Sequence, residues 1–104
     1  MDDYEQELKD RRIKKLAEIL DDKEVRLFFH DLMQDFGMLD TTFISGDQAA
    51  SAYMEGRRSG ALHLHRMLYN VSPDAVVQMQ ADALALERER ANYTQEDDDD
   101  GYGN

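Results

Sequence analysis

Residues 47–70 read DQAASAYMEGRRSGALHLHRMLYN. Wound as a helix at about 100° per residue, Ala49, Tyr53, Gly56, Gly60, Leu64, Met67 and Leu68 fall on one arc, the pattern of a core-facing side. Ala52, Gly56 and Gly60 recur at four-residue spacing. A neighbouring helix is therefore expected to approach the backbone closely there, offsetting the roughly 1 kcal/mol of helix propensity that each glycine forgoes. Arg57 lies within the same arc. It is expected to be paired with a carboxylate or several backbone carbonyls, because a guanidinium is rarely buried alone. Arg58 points the other way beside Met54, Leu62, His65 and Tyr69, a second strip more apolar than a solvated face requires. This helix is expected to have two partners.

Upstream, Asp21 and Asp22 are N-cap candidates for a helix over 22–37, with Glu24 adding negative charge to the first turn. Val25, Phe28, Phe29, Leu32, Met33 and Phe36 recur at spacings of three and four, the strongest amphipathic pattern in the chain, and place three of its four phenylalanines on one helix. Gly37 is the natural stop. His30 falls on the flank away from this stripe next to Asp31, and neighbours in sequence on a helix do not face one another, so the two are read as surface residues. A first helix over 3–20 is marked by Asp3 with Gln6 as a capping box and by Glu5/Lys9, Glu7/Arg11 and Asp10/Lys14 as i,i+4 pairs. Its apolar stripe, Leu8, Leu16, Ile19 and Leu20, is interrupted by Arg12. The basic run DRRIKK at 10–15 reads either as a patch for an acidic partner or as a solvated face neutralised by neighbouring acids.

Between the second and third helices, residues 38–46 form a loop from which Phe43 and Ile44 are expected to fold back over the bundle. Ser45 with Gln48, or Asp47 alone, caps the third helix. Downstream, Ser72 at the N-cap and Pro73 at the first helical position end the third helix and open a fourth over 73–90. There Val76, Met79, Ala83 and Leu86 make one side, while Val77, Ala81 and Leu84 mark another. One side can dock within the chain and leave the other for a partner. From about Asn92 the apolar pattern ceases, and Glu96 with the four aspartates at 97–100 supplies five of the acidic charges. The expected organisation is an all-α domain at 1–90, a small bundle of about four helices, followed by a disordered acidic C-terminal tail at 91–104.

Composition bounds the function. A chain of 104 residues has room for one modest core and little for a cofactor-sized cavity. Without cysteine there is no disulfide, thiolate metal site or thiol nucleophile. A net charge of −11 argues against passive binding to phosphate backbones or anionic membranes. No run approaches the roughly 20 apolar residues of a membrane span, and the charged N-terminus lacks the apolar stretch of a secretory signal. His63 and His65 diverge by about 200° on a helix, and a third ligand is not evident. GRRSG at 56–60 lies inside a helical pattern with neither a preceding strand nor a Lys-Ser/Thr ending, so it is not a phosphate loop. No catalytic, cofactor-binding or metal-binding residue is nominated. The interaction candidates are Met54, Gly56, Arg57, Arg58, Gly60, Leu62, Tyr69, Val76, Met79 and Leu86.

The aromatic helix Phe28-Phe29-x-x-Leu32 ending at Gly37, the connector Thr42-Phe43, and above all Tyr53-Met54-Glu55-Gly56-Arg57-Arg58-Ser59 leading into Leu62 resemble a small helical protein family of tailed bacteriophages. That family is named after a Bordetella phage member and found among virion-assembly genes of short-tailed phages. Pro73 and Met79 come at a fitting distance downstream, so the resemblance spans roughly 25–82. It implies a non-enzymatic phage protein of the particle or its assembly, a portal, tail or ejection accessory found in the virion or the host cytoplasm. The expected partners are other copies of the chain or other virion proteins. The alternative, motivated by charge, is an acidic inhibitor of a host protein or a nucleic-acid mimic.

Overall fold

The computed structural model describes residues 2–38 and 45–102, with side chains up to residue 94. The expected folding back of Phe43 and Ile44, and the Thr42-Phe43 connector, lie outside the described residues. Four helices run in order: α1 (Asp3–Ile19), α2 (Lys23–Asp35), α3 (Gln48–Val71) and α4 (Pro73–Tyr102). The class is all-α, as the 3.6-residue periodicity implies.

Local chemistry sets the helix ends. Asp22 accepts from the backbone N–H of Glu24 at 2.8 Å and of Val25 at 3.3 Å. Asp47 accepts from Ala50 N–H at 2.9 Å, and Ser72 Oγ from Ala75 N–H at 3.3 Å, immediately before Pro73 opens α4. Each cap satisfies a donor that has no partner within its helix. Gly37, at φ 77°, closes α2: its N–H donates to Gln34 O at 2.8 Å and that of Met38 to Met33 O at 3.2 Å. This paired arrangement requires a left-handed residue, which is why glycine stands there. At the chain start the cap is Asp2, not the expected Asp3, accepting from Glu5 N–H at 2.8 Å. Gln6 is thereby left to donate to Asp10 at 2.8 Å.

Helices α2, α3 and α4 pack on one another, and α1 lies along α3. Leu20, Met33, Ala61, Leu68, Ala75, Val76 and Met79 form the core, with Leu16, Phe29, Met38, Leu64 and Val71 packed against it. At 17 Å in its thinnest direction and 69 Å in its longest, the molecule leaves every helix a face in solvent. None of the residues of α1 is fully buried, in keeping with the interruption of its stripe at Arg12. Along α4, Val76 and Met79 are core residues and Ala83 and Leu86 are half-buried, while Val77, Ala81 and Leu84 face outward. Beyond Leu86 the helix continues past the expected end at residue 90, but residues 87–94 are all exposed. The bundle therefore gives this stretch no burial. Aspartates at 97–100 moreover stand near the C-terminal end of a helix, where the macrodipole disfavours negative charge.

Two helix faces are turned from their expected orientations. In α2 the buried arc is centred on Arg26 and Met33, about a quarter turn from the aromatic stripe. Leu27 is buried, whereas Phe28 is 64% exposed and Phe36 is also exposed. Phe28 instead sets its ring edge-on to Phe29, with centroids 5.9 Å apart. In α3 the buried residues are Ala61 and Leu68, while Ala49, Tyr53, Gly56, Gly60 and Met67 are exposed. Of the rest of the expected arc, Leu64 and Arg57 are half-buried. The close helix approach expected at Gly56 and Gly60 is therefore corrected: a Cβ built at either meets nothing within 4 Å.

Both glycines thus sit in an open helix interior, where alanine costs less backbone entropy. Gly56→Ala and Gly60→Ala should each stabilise the chain by about 0.5–1 kcal/mol. The check is the urea midpoint at unchanged m-value; a lowered midpoint would mean that another helix does press on that backbone.

Candidate interaction surfaces

A buried ion pair joins the helices. Arg26, on α2, donates from Nε to Asp82 Oδ2 on α4 at 2.7 Å. Its Nη1 donates to the carbonyls of Leu20 at 3.0 Å and Asp21 at 2.9 Å, at the end of α1. Gln78, one turn before Asp82, donates to its other oxygen at 2.9 Å. The two charged side chains are only 12% and 8% exposed, and among the described residues no buried side-chain polar atom is left without a partner. The hydrogen bond from Arg26 holds the Asp82 carboxyl below the ordinary carboxylate value against the upward push of burial, with Gln78 and the charges of Arg26 and Lys23 acting in the same lowering sense.

A second arginine acts in a related way at the next helix end. Arg57 Nη2, on α3, donates to Asp35 O at the end of α2 at 2.6 Å. Its guanidinium lies over the rings of Phe36 and Tyr53, 5.6 and 5.9 Å from their centroids. The expected pairing of Arg57 thus takes the form of one carbonyl and two aromatic faces. Neither α1 nor α2 has a basic residue in its own last turn. In both cases the cation that suits the negative helix end comes from another helix.

The remaining interaction candidates separate into three groups. Val76 and Met79 are enclosed in the core, and Leu86 is half-buried at its edge. Gly56 and Gly60 are exposed on the far side of α3, and Arg58 makes a 3.8 Å surface pair with Glu55. Met54 and Leu62 are half-buried, and Tyr69 is 51% exposed. Leu62, His65, Arg66 and Tyr69 line a shallow groove of about 390 Å³. His63 instead lines a larger groove of about 510 Å³ between α1 and α3. The two histidines open to different sides, and among the described residues no group of three or more His, Asp or Glu is placed to hold a metal. No described helix is long and apolar enough to cross a membrane.

Reading the sequence missed Arg26 and Asp82. The signal was Asp82 itself, three residues after Met79 and seven after Ala75, in line with the buried side of α4. A carboxylate there demands a cation, and Arg26 occupies the corresponding centre of α2.

Removing one partner of such a pair leaves the other charge buried. Asp82→Ala should cost toward the lower end of about 3–5 kcal/mol, since Arg26 keeps its two carbonyls. Replacing both, Arg26→Met with Asp82→Leu, should recover most of that loss. Because the folded pKa of Asp82 is lowered, its contribution is fully present above the unfolded value of about 3.9 and is lost as pH falls through the folded one. The stability gap between the natural chain and Asp82→Asn should therefore narrow only below about pH 4. Denaturant titrations across pH check this, and a gap that narrows at neutral pH would contradict it.

No curated protein and no solved structure gives a significant match to the chain. The profile of one family, described as Bbp19-like phage protein, matches residues 16–81. The matched stretch runs from the last turn of α1 through α2 and α3 into the first turns of α4, leaving most of α1 and the acidic tail outside. With more than half of its length inside that match, the chain belongs to the family of Bbp19-like phage proteins.

Proposed function

We propose that this phage protein is a non-enzymatic accessory of the virion or its assembly, associated with portal, tail or ejection structures and working through contacts between helices. The observation that carries the proposal is the unpartnered apolar surface on short helices. Val77, Ala81 and Leu84 form an outward strip on α4, with Val77 64% and Leu84 49% exposed. On α3, Leu62 and Tyr69 face their shallow groove. A single-layer core with both sides of its helices partly apolar suits a subunit that finishes its burial in a larger assembly. Membership of a phage protein family supplies the setting. On this reading the partners are further copies of the chain or other virion proteins, and the protein is found in particles as well as in the host cytoplasm where they are built.

Quantitative mass spectrometry of purified particles, compared with infected-cell lysate, tests the proposal. The natural chain should be present at a fixed stoichiometry in particles. Leu62→Glu with Tyr69→Glu should be missing from them while retaining full helicity by circular dichroism. Absence of the natural chain from particles, with abundant protein early in infection, would overturn the assembly role and favour a host-directed acidic inhibitor.

A further inference from the structure

The groove between α1 and α3 has an apolar floor and a basic rim. Ile13 and Leu16 from α1 face Met67 and Val71 from α3, and Lys9, Arg12 and Arg66 stand around them. No acidic side chain is among its lining residues. Within the described residues none of the three cations is in an ion pair, nor is Lys14, whereas Arg11 pairs with Glu7, Lys15 with Glu18 and Arg58 with Glu55. In a chain of net charge −11, three unpaired cations around one apolar groove are a local reversal of the prevailing sign.

The chain itself carries the complementary segment. Glu96 and the aspartates at 97–100 come just after Tyr93, an aromatic side chain 70% exposed on a part of α4 that the bundle does not cover. This segment combines an apolar ring with a dense block of negative charge, the two features that the groove would accept. Held in α4, it points away from its own groove. The groove is built on the last turns of α3, next to the start of α4 at Pro73, and Glu96 lies 23 residues farther along a helix, about 35 Å away at about 1.5 Å per residue.

We infer that the groove formed by Lys9, Arg12, Ile13, Arg66 and Met67 binds the acidic C-terminal segment of a second copy of this chain. Each molecule offers a groove at one end and an acidic arm at the other, so the contact is head-to-tail. Repetition of it closes a ring or extends a filament, according to the rotation between successive copies. This deepens the assembly reading by naming one of the partners, and it rests on that reading only for its setting.

A charge-swap experiment on the full-length chain tests the inference. One variant reverses the groove (Lys9→Glu, Arg12→Glu and Arg66→Glu), and the other reverses the arm (Asp97→Lys, Asp98→Lys, Asp99→Lys and Asp100→Lys). In low salt the natural chain should associate by sedimentation velocity, and in about 1 M salt, where the screening length falls to about 3 Å, it should dissociate. Each variant alone should be monomeric and as helical as the natural chain, and an equimolar mixture of the two should associate again. Recovery on mixing cannot come from a variant that has merely unfolded. A natural chain that stays monomeric in low salt, or association unchanged by either reversal, would overturn homotypic docking. Presence or absence in particles is read separately, so a monomeric chain still incorporated into virions would sink the self-contact and leave the assembly role standing.

Discussion

Arg26 joins three of the four helices. It leaves α2, donates to the open carbonyls at the end of α1 and meets the carboxylate of Asp82 in the face of α4 that closes the core. Burying such a pair is not in itself a route to stability, since the desolvation of both ions works against their attraction. Its consequence is geometric. A guanidinium bonded to two carbonyls and one carboxylate favours the rotation of α2 and the register of α4 that keep all three bonds. The apolar core, made largely of Leu, Met and Ala side chains that tolerate repacking, imposes no comparable restriction.

The same constraint explains why the exposed aromatic residues lie where they do. With Arg26 and Met33 held at the centre of the buried arc, Phe28 is carried to the surface and Phe36 to the edge. There the Phe36 ring meets the guanidinium of Arg57. Arg57 in turn ties α3 to the end of α2, so two successive helix ends are each held by an arginine from outside the helix they close. Side chains from neighbouring helices thereby serve a short bundle in place of local basic residues, and the carbonyls of Leu20, Asp21 and Asp35 gain these partners only when the tertiary structure has formed.

Those features divide what the sequence discloses from what it hides. Asp22, Asp47, the Ser72-Pro73 pair and Gly37 act through their own backbone neighbourhood, and the helix ends can be read from them directly. The direction a helix faces depends on what lies across from it. Counting only apolar side chains draws the centre of α2 toward its phenylalanines, because it treats Arg26 as solvated, and it passes over Asp82 for the same reason. Gly56 and Gly60 suggest close packing by their spacing alone, but spacing gives a shared face without saying whether anything covers it. The interaction surfaces are legible in part. The second side of α4 is visible as Val77, Ala81 and Leu84, whereas the groove between α1 and α3 draws on residues more than 50 positions apart, which no local pattern brings together.

The structural centre can be examined without changing a residue. In an NMR titration of the natural chain, the side-chain carboxyl carbon of Asp82 should report a midpoint below the ordinary aspartate range, with the Arg26 Nε proton shifted and protected from exchange until that midpoint is reached. An Asp82 carboxyl titrating at the ordinary value of about 3.9, beside a freely exchanging Arg26 proton, would mean that the pair does not hold the helices together.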